Sequence, residues 1–215
     1  MKNSLKIFIM LLIVTPLVMG ITGCSGGGVN GEGKGSYDTG TPVVRGNVYN
    51  DTGWEYISKG QYDSAIKYFN DVLADSPTES EKAEANNGIG WAKAFNGKLK
   101  DGIKYFQLAS DLSDDAKVGL AAAYLQQASL SDLEEVVNIL YVQLGNKKPR
   151  FNYVPTRATG VTNAEVHAML AYAFAATGDA EKADEQLTYA KELEPNYVGK
   201  SIAQLFGAIE FLNNN

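Results

Sequence analysis

The chain has 215 residues, with 19 basic and 25 acidic side chains, a net charge of −6, one cysteine and one histidine. That length supports one domain with a sizeable core. The acidic balance argues against nucleic acid or an anionic lipid surface as partner. One cysteine excludes an intramolecular disulfide, and one histidine leaves no Cys/His set for zinc and no Ser/His/Asp set that spacing alone supports. The first predicted element is an N-terminal targeting segment. Lys2 and Lys6 precede an apolar run from Ile7 to Met19, broken only by Thr15 and Pro16, and small residues lead to Cys24. This layout reads as a secretory signal peptide over 1–23, too short and wrongly flanked for a membrane-spanning helix.

Ile21-Thr22-Gly23-Cys24 resembles the lipobox of bacterial lipoproteins: an aliphatic residue, two small residues, then cysteine. The resemblance implies that Cys24 is lipidated and becomes the first mature residue. Ser25, rather than an aspartate, follows it, which resembles an outer-membrane address facing the periplasm. Cleavage leaves 17 basic and 25 acidic side chains, a net charge of −8. Residues 24–45 come next, and seven of the seventeen residues in 25–41 are glycine, with Val29 and Tyr37 the only sizeable apolar side chains. Such a stretch buries too little to order itself and reads as a flexible tether with a span of roughly 20–25 Å.

From about residue 46 the chain repeats. Tyr49, Thr52-Gly53, Tyr56, Gly60, Tyr62, Ala65, Phe69 and Pro77 form one unit; Asn86, Ile89-Gly90, Lys93, Gly97, Gly102 and Phe106 form the second. His167, Leu170-Ala171, Phe174, Gly178, Ala183, Leu187, Ala190 and Pro195 form the fourth. The spacing predicts helix pairs in which small residues at 53, 90 and 171 allow close approach, glycines at 60, 97 and 178 turn the chain, and Pro77 and Pro195 stop the second helices. A looser third unit keeps Leu120-Ala121, Tyr124, Leu133 and Val137, with Ala128 at the turn. Capping boxes are expected at Thr78/Glu81, Ser131/Glu134 and Thr162/Glu165. Ile202, Leu205, Phe206, Ile209 and Phe211 predict a C-terminal capping helix.

The insertion at 146–161 carries Lys147, Lys148, Arg150 and Arg157 with no acid, and its prolines and Gly160 predict a long protruding loop. Phe151 and Tyr153 are either recognition residues, like the four cations, or fold back over the joint between the third and fourth pairs.

These units resemble the tetratricopeptide repeat, with Thr52 and Lys93 departing from its pattern. The resemblance covers 46–212. It implies an all-α, right-handed superhelix of antiparallel helix pairs, with three to four repeats and a capping helix. It further implies that the first helices line a concave groove for a peptide or partner helix. The groove offsets fall on Asn50, Trp54, Ile57, Asn87, Trp91, Phe95, Leu125 and Tyr172. Aromatics in such a groove favour partner binding, and asparagines bond a peptide backbone; the alternative is that both tryptophans are buried between helices. The basic clamp some members use for a terminal carboxylate is missing, because Asn50, Asp115 and Gly119 stand where basic groups would be.

No cofactor, metal or catalytic residue is expected. His167 sits at a packing offset, and Asp111, Asp114 and Asp115 read as helix-capping acids rather than a calcium loop. The functional expectation is a lipid-anchored scaffold that binds protein partners in assembly of an envelope machine. A docking regulator of a cell-wall enzyme is the alternative, and an enzyme in its own right a distant third.

Overall fold

The computed structural model describes residues 45–198 and 200–213. The expected signal peptide, Cys24 and nearly all of the tether lie outside the described residues. Among the described residues the fold is all helical. Helix α1 spans Arg45–Ser58 and α2 Tyr62–Ala74; α3 spans Glu79–Phe95 and α4 Leu99–Ala109. Helix α5 covers Asp114–Gln127, and α6 covers Leu130–Val137 before widening into π-helical turns over Asn138–Leu144. Helices α7 (Asn163–Thr177), α8 (Ala180–Leu193) and α9 (Ser201–Asn213) complete the chain. Each helix packs on its sequence neighbour. The first helices of successive pairs also stack, α1 on α3, α3 on α5 and α5 on α7, while α9 covers α7 and α8. This is a helical-repeat solenoid.

The joints are formed by aromatic rings pressed against glycine. Phe69 of α2 is fully buried, and a Cβ at Gly53 of α1 or Gly88 of α3 would stand 2.6 or 2.2 Å from its ring. Phe106 of α4 repeats the arrangement between Gly90 and Gly119, each 2.5 Å away on the same measure. The second-helix phenylalanine of one repeat thus enters a slot shared by two first helices, and only glycine leaves the slot open. Gly88 and Gly119 belong to it as much as Gly53 and Gly90 do.

Ends of helices follow local chemistry. Thr78/Glu81 and Thr162/Glu165 form reciprocal capping boxes. The third box is made by Ser129 with Asp132, not by Ser131 with Glu134. Ser129 has the extended backbone (φ −76°, ψ 159°) that an N-cap needs, and Ser131 is already inside the helix. Gly178 ends α7 in the left-handed region at φ 92°, and Ala128 ends α5 there at φ 55°, a conformation an L-residue adopts at a cost of about 1–2 kcal/mol. In α9, Ile202, Leu205, Phe206 and Ile209 are buried while Phe211 is exposed.

Candidate functional site

Seven of the eight expected groove residues are buried: Asn50, Trp54, Ile57, Asn87, Trp91, Leu125 and Tyr172; Phe95 is half-buried. The tryptophans fill joints of the stack rather than standing open. Trp54 packs edge-on against Phe69 at 5.9 Å, and Trp91 edge-on against Phe106 at 5.4 Å. Of the two readings left open for the tryptophans, exposure in a groove and burial between helices, the structure shows burial, because the helices pack closely enough to enclose the aromatic. Burial pushes the Tyr172 phenol up from its ordinary pKa.

The face of the first helices is instead crossed by residues 149–161, which run as a strap. Backbone carbonyls root it in the fourth pair. Gln186 donates to the Pro149 carbonyl at 2.8 Å, His167 Nε2 meets the Phe151 carbonyl at 2.9 Å, and His167 Nδ1 meets Gln186 Oε1 at 2.6 Å. Burial holds the His167 pKa below its ordinary value, against the two hydrogen bonds that favour its charged form. The Tyr153 amide donates to Asn163 Oδ1 at 2.9 Å. Phe151, Tyr153 and Val161 are buried, whereas Asn152, Val154, Pro155 and Thr156 are exposed.

Beyond that base the strap reaches three first helices through acids. Asp115, in the first turn of α5 and 1% exposed, accepts from Tyr153 Oη at 2.7 Å, Thr156 Oγ1 at 2.6 Å, and the amides of Thr156 and Arg157 at 3.1 and 3.0 Å. Burial, then the hydrogen bond to this carboxylate and its charge, push the Tyr153 phenol far above its ordinary pKa. Arg157 Nε bonds Glu84 Oε1 of α3 at 2.5 Å and its Nη1 meets Asp51 Oδ1 of α1 at 3.0 Å. The same Glu84 oxygen accepts from Trp54 Nε1 at 2.8 Å, and the guanidinium lies 5.7 Å from the Trp54 ring. Burial alone would lower the Arg157 pKa; Glu84 and Asp51 outweigh it and raise it.

The other insertion cations divide. Arg150 pairs bidentately with Glu192 at 2.7 and 3.0 Å and lies 4.8 Å from the Tyr189 ring, while Lys147 and Lys148 are exposed. Asp51, Glu84 and Thr156 are functional candidates that the periodicity did not single out, and Asp115 has a partner beyond its capping role. A signal existed: Glu84 and Asp115 each stand six residues before the small residue of their unit, Gly90 and Ala121.

Among the described residues four side-chain polar atoms of the first helices are buried without a hydrogen-bond partner: Asn50 Oδ1, both amide atoms of Asn87, and Trp91 Nε1. Among the described residues no three His, Cys, Asp or Glu side chains stand close enough to hold a metal ion, and no helix is long and apolar enough to cross a membrane.

Residues 46–74, which are α1 and α2, match the family model of the tetratricopeptide repeat, whose members are generally non-enzymatic interaction modules. Among curated proteins none matches the chain. The first helix pair is similar to a tetratricopeptide repeat, and the described helices continue it as a helical-repeat solenoid.

Proposed function

We propose that the protein is a lipid-anchored interaction scaffold, held through Cys24 at the outer membrane facing the periplasm, whose first-helix face grips a segment of a partner during assembly of an envelope machine. One observation carries the gripping part. That face already holds a non-helical segment, bent at Thr156 and Arg157, with backbone amides, hydroxyls and a guanidinium on acids presented by three successive first helices. A surface with such acceptors suits a non-helical peptide segment, and the solenoid supplies it in register. The anchor rests on Ile21-Thr22-Gly23-Cys24 and the glycine-rich stretch behind it.

The test is cross-linking in intact cells, then capture of the full chain and fractionation. A defined protein partner, cross-linked to α1, α3 and α5, supports the scaffold; cross-links confined to the second helices would sink it. Cys24→Ser should release the protein to the soluble exported fraction or leave it unprocessed. A Cys24→Ser protein still processed and labelled by a fatty-acid probe would refute the anchor, and recovery of the wild type with the inner membrane would refute the outer-membrane placement.

A further inference from the structure

The strap is built in two parts of different character. Its base is fixed by apolar burial of Phe151, Tyr153 and Val161 and by bonds to His167, Gln186 and Asn163. Its tip, Val154 to Arg157, is held by polar contacts at the protein surface. Val154 is 66% exposed, and the Arg157 and Asp51 side chains keep 30% and 67% of their surface in water. Ion pairs at that exposure exchange readily with solvent or with another cation. The acids beneath are less tolerant. Asp115 is almost fully buried, and losing the tip would leave its charge with the Tyr153 hydroxyl alone of its four donors, an unfavourable state. A departing tip must therefore be replaced by a segment of equivalent chemistry.

The first helices also contain buried polar groups that the strap does not bond. Asn50 adjoins Asp51, and Asn87 lies three residues beyond Glu84 on the same side of α3. Their amides include three of the four unpartnered buried atoms. Buried polar groups of a native protein almost always find partners. Asn50 and Asn87 thus leave buried amide atoms unbonded in the two first helices whose acids hold Arg157.

Resting on the reading of the first-helix face as a peptide-binding face, we propose that residues 154–157 are an intramolecular stand-in for the partner. The partner is a non-helical segment presenting an arginine, preceded by a hydroxyl residue, to Asp51, Glu84 and Asp115, and it binds as the strap tip releases. A tethered competitor acts at a local concentration of order millimolar, so a free segment of the same chemistry binds the wild type weakly. Weakening the tip removes that competition and raises apparent affinity by the closed-to-open ratio.

The probe is a fluorescently labelled synthetic peptide with the sequence of residues 149–161, titrated by anisotropy against the full chain and against a Thr156→Val/Arg157→Ala variant. Both changes lie at the tip and leave the buried base intact, and circular dichroism checks that helix content is kept. The variant should bind the peptide at least about tenfold more tightly than the wild type. Adding Glu84→Gln should abolish the gain, and a peptide with alanine in place of the arginine that corresponds to Arg157 should fail to bind, the arginine that corresponds to Arg150 being kept. Equally undetectable binding to both proteins, with helix content retained, would overturn the proposal and make the strap a fixed part of the fold. A variant that dimerises in sedimentation without binding peptide would also overturn it, by placing a second copy's strap on the face. Because the probe comes from the chain's own sequence, failure to capture a natural partner while peptide binding survives counts against the scaffold alone. Partner capture without peptide binding counts against the stand-in alone.

Discussion

Trp91 has no exposed surface, and its indole N–H has no acceptor. It therefore brings apolar burial and an unsatisfied donor to one joint. Burial of an aromatic this large outweighs the unpaired N–H, which costs about 1–3 kcal/mol. Trp91→Ala should then destabilise the fold by about 3–5 kcal/mol. Trp91→Phe should recover a large part of that, because it refills most of the space and removes the orphan. Denaturant unfolding of the three proteins gives the order, and an alanine variant as stable as the wild type would contradict it. That Trp54 and Trp91 share an offset was plain in the sequence. Their burial was not, because it depends on how far apart neighbouring first helices pack, which is set by residues such as Phe69 and Gly88 on other elements. Asp115 was misleading for a related reason. Its position in a first turn explains it adequately as a helix-end acid, and its four donors lie 38 to 42 residues away.

At the scale of helices, the slots for Phe69 and Phe106 make the repeat visible as physics. Gly88→Ala gains roughly 1 kcal/mol in helix propensity but places a Cβ 2.2 Å from the Phe69 ring. Overpacking should dominate, with a net loss of about 1–2 kcal/mol. Gly207 in α9 is exposed and has nothing within 4 Å of where a Cβ would stand, so Gly207→Ala should raise stability by about 0.5–1 kcal/mol. Thermal melting of the pair tests this, and a destabilised Gly207→Ala with a neutral Gly88→Ala would reverse the account. The helices, and the turns at Gly97 and Gly178, were legible because their causes are local: apolar period, caps and left-handed turn positions. The insertion was legible as a loop from Pro149, Pro155 and Gly160. Its course was not, since no periodicity links Arg157 to Glu84, 73 residues earlier.

For the molecule as a whole, His167 joins the last repeat to the base of the strap, and its protonation is tied to folding. Its pKa in the fold lies below the ordinary 6.5, so between those two values the unfolded chain binds a proton that the folded chain does not. Stability from this residue is full above 6.5, is lost as pH falls through that range, and levels off below the folded pKa. Glu165 works in the opposite sense. Burial first of all raises its pKa above the ordinary 4.5 against the Thr162 hydrogen bonds, so its contribution diminishes as pH rises through that higher range. Comparing the wild type with His167→Gln at each pH isolates the histidine. The wild type's advantage should shrink steadily from pH 7.5 to pH 5, and a difference that stays constant or widens on acidification would show the reasoning wrong.

A stack of helix pairs in which each pair touches only the next unfolds like a zipper, fraying from whichever end is weaker. The strap changes that connectivity. Through Arg157 and its neighbours, a segment rooted beside α7 and α8 is bonded to α1, α3 and α5, so the first pair cannot open without breaking bonds to a segment anchored in the last. Contacts far apart in sequence, Thr156 with Asp115 and Arg157 with Glu84 and Asp51, replace a string of local ones with a closed circuit. Its loop-closure entropy must be met before the contacts form, which slows folding. What the chain gains is cooperativity: an elongated array that would otherwise melt piecemeal opens as one unit while the clasp holds.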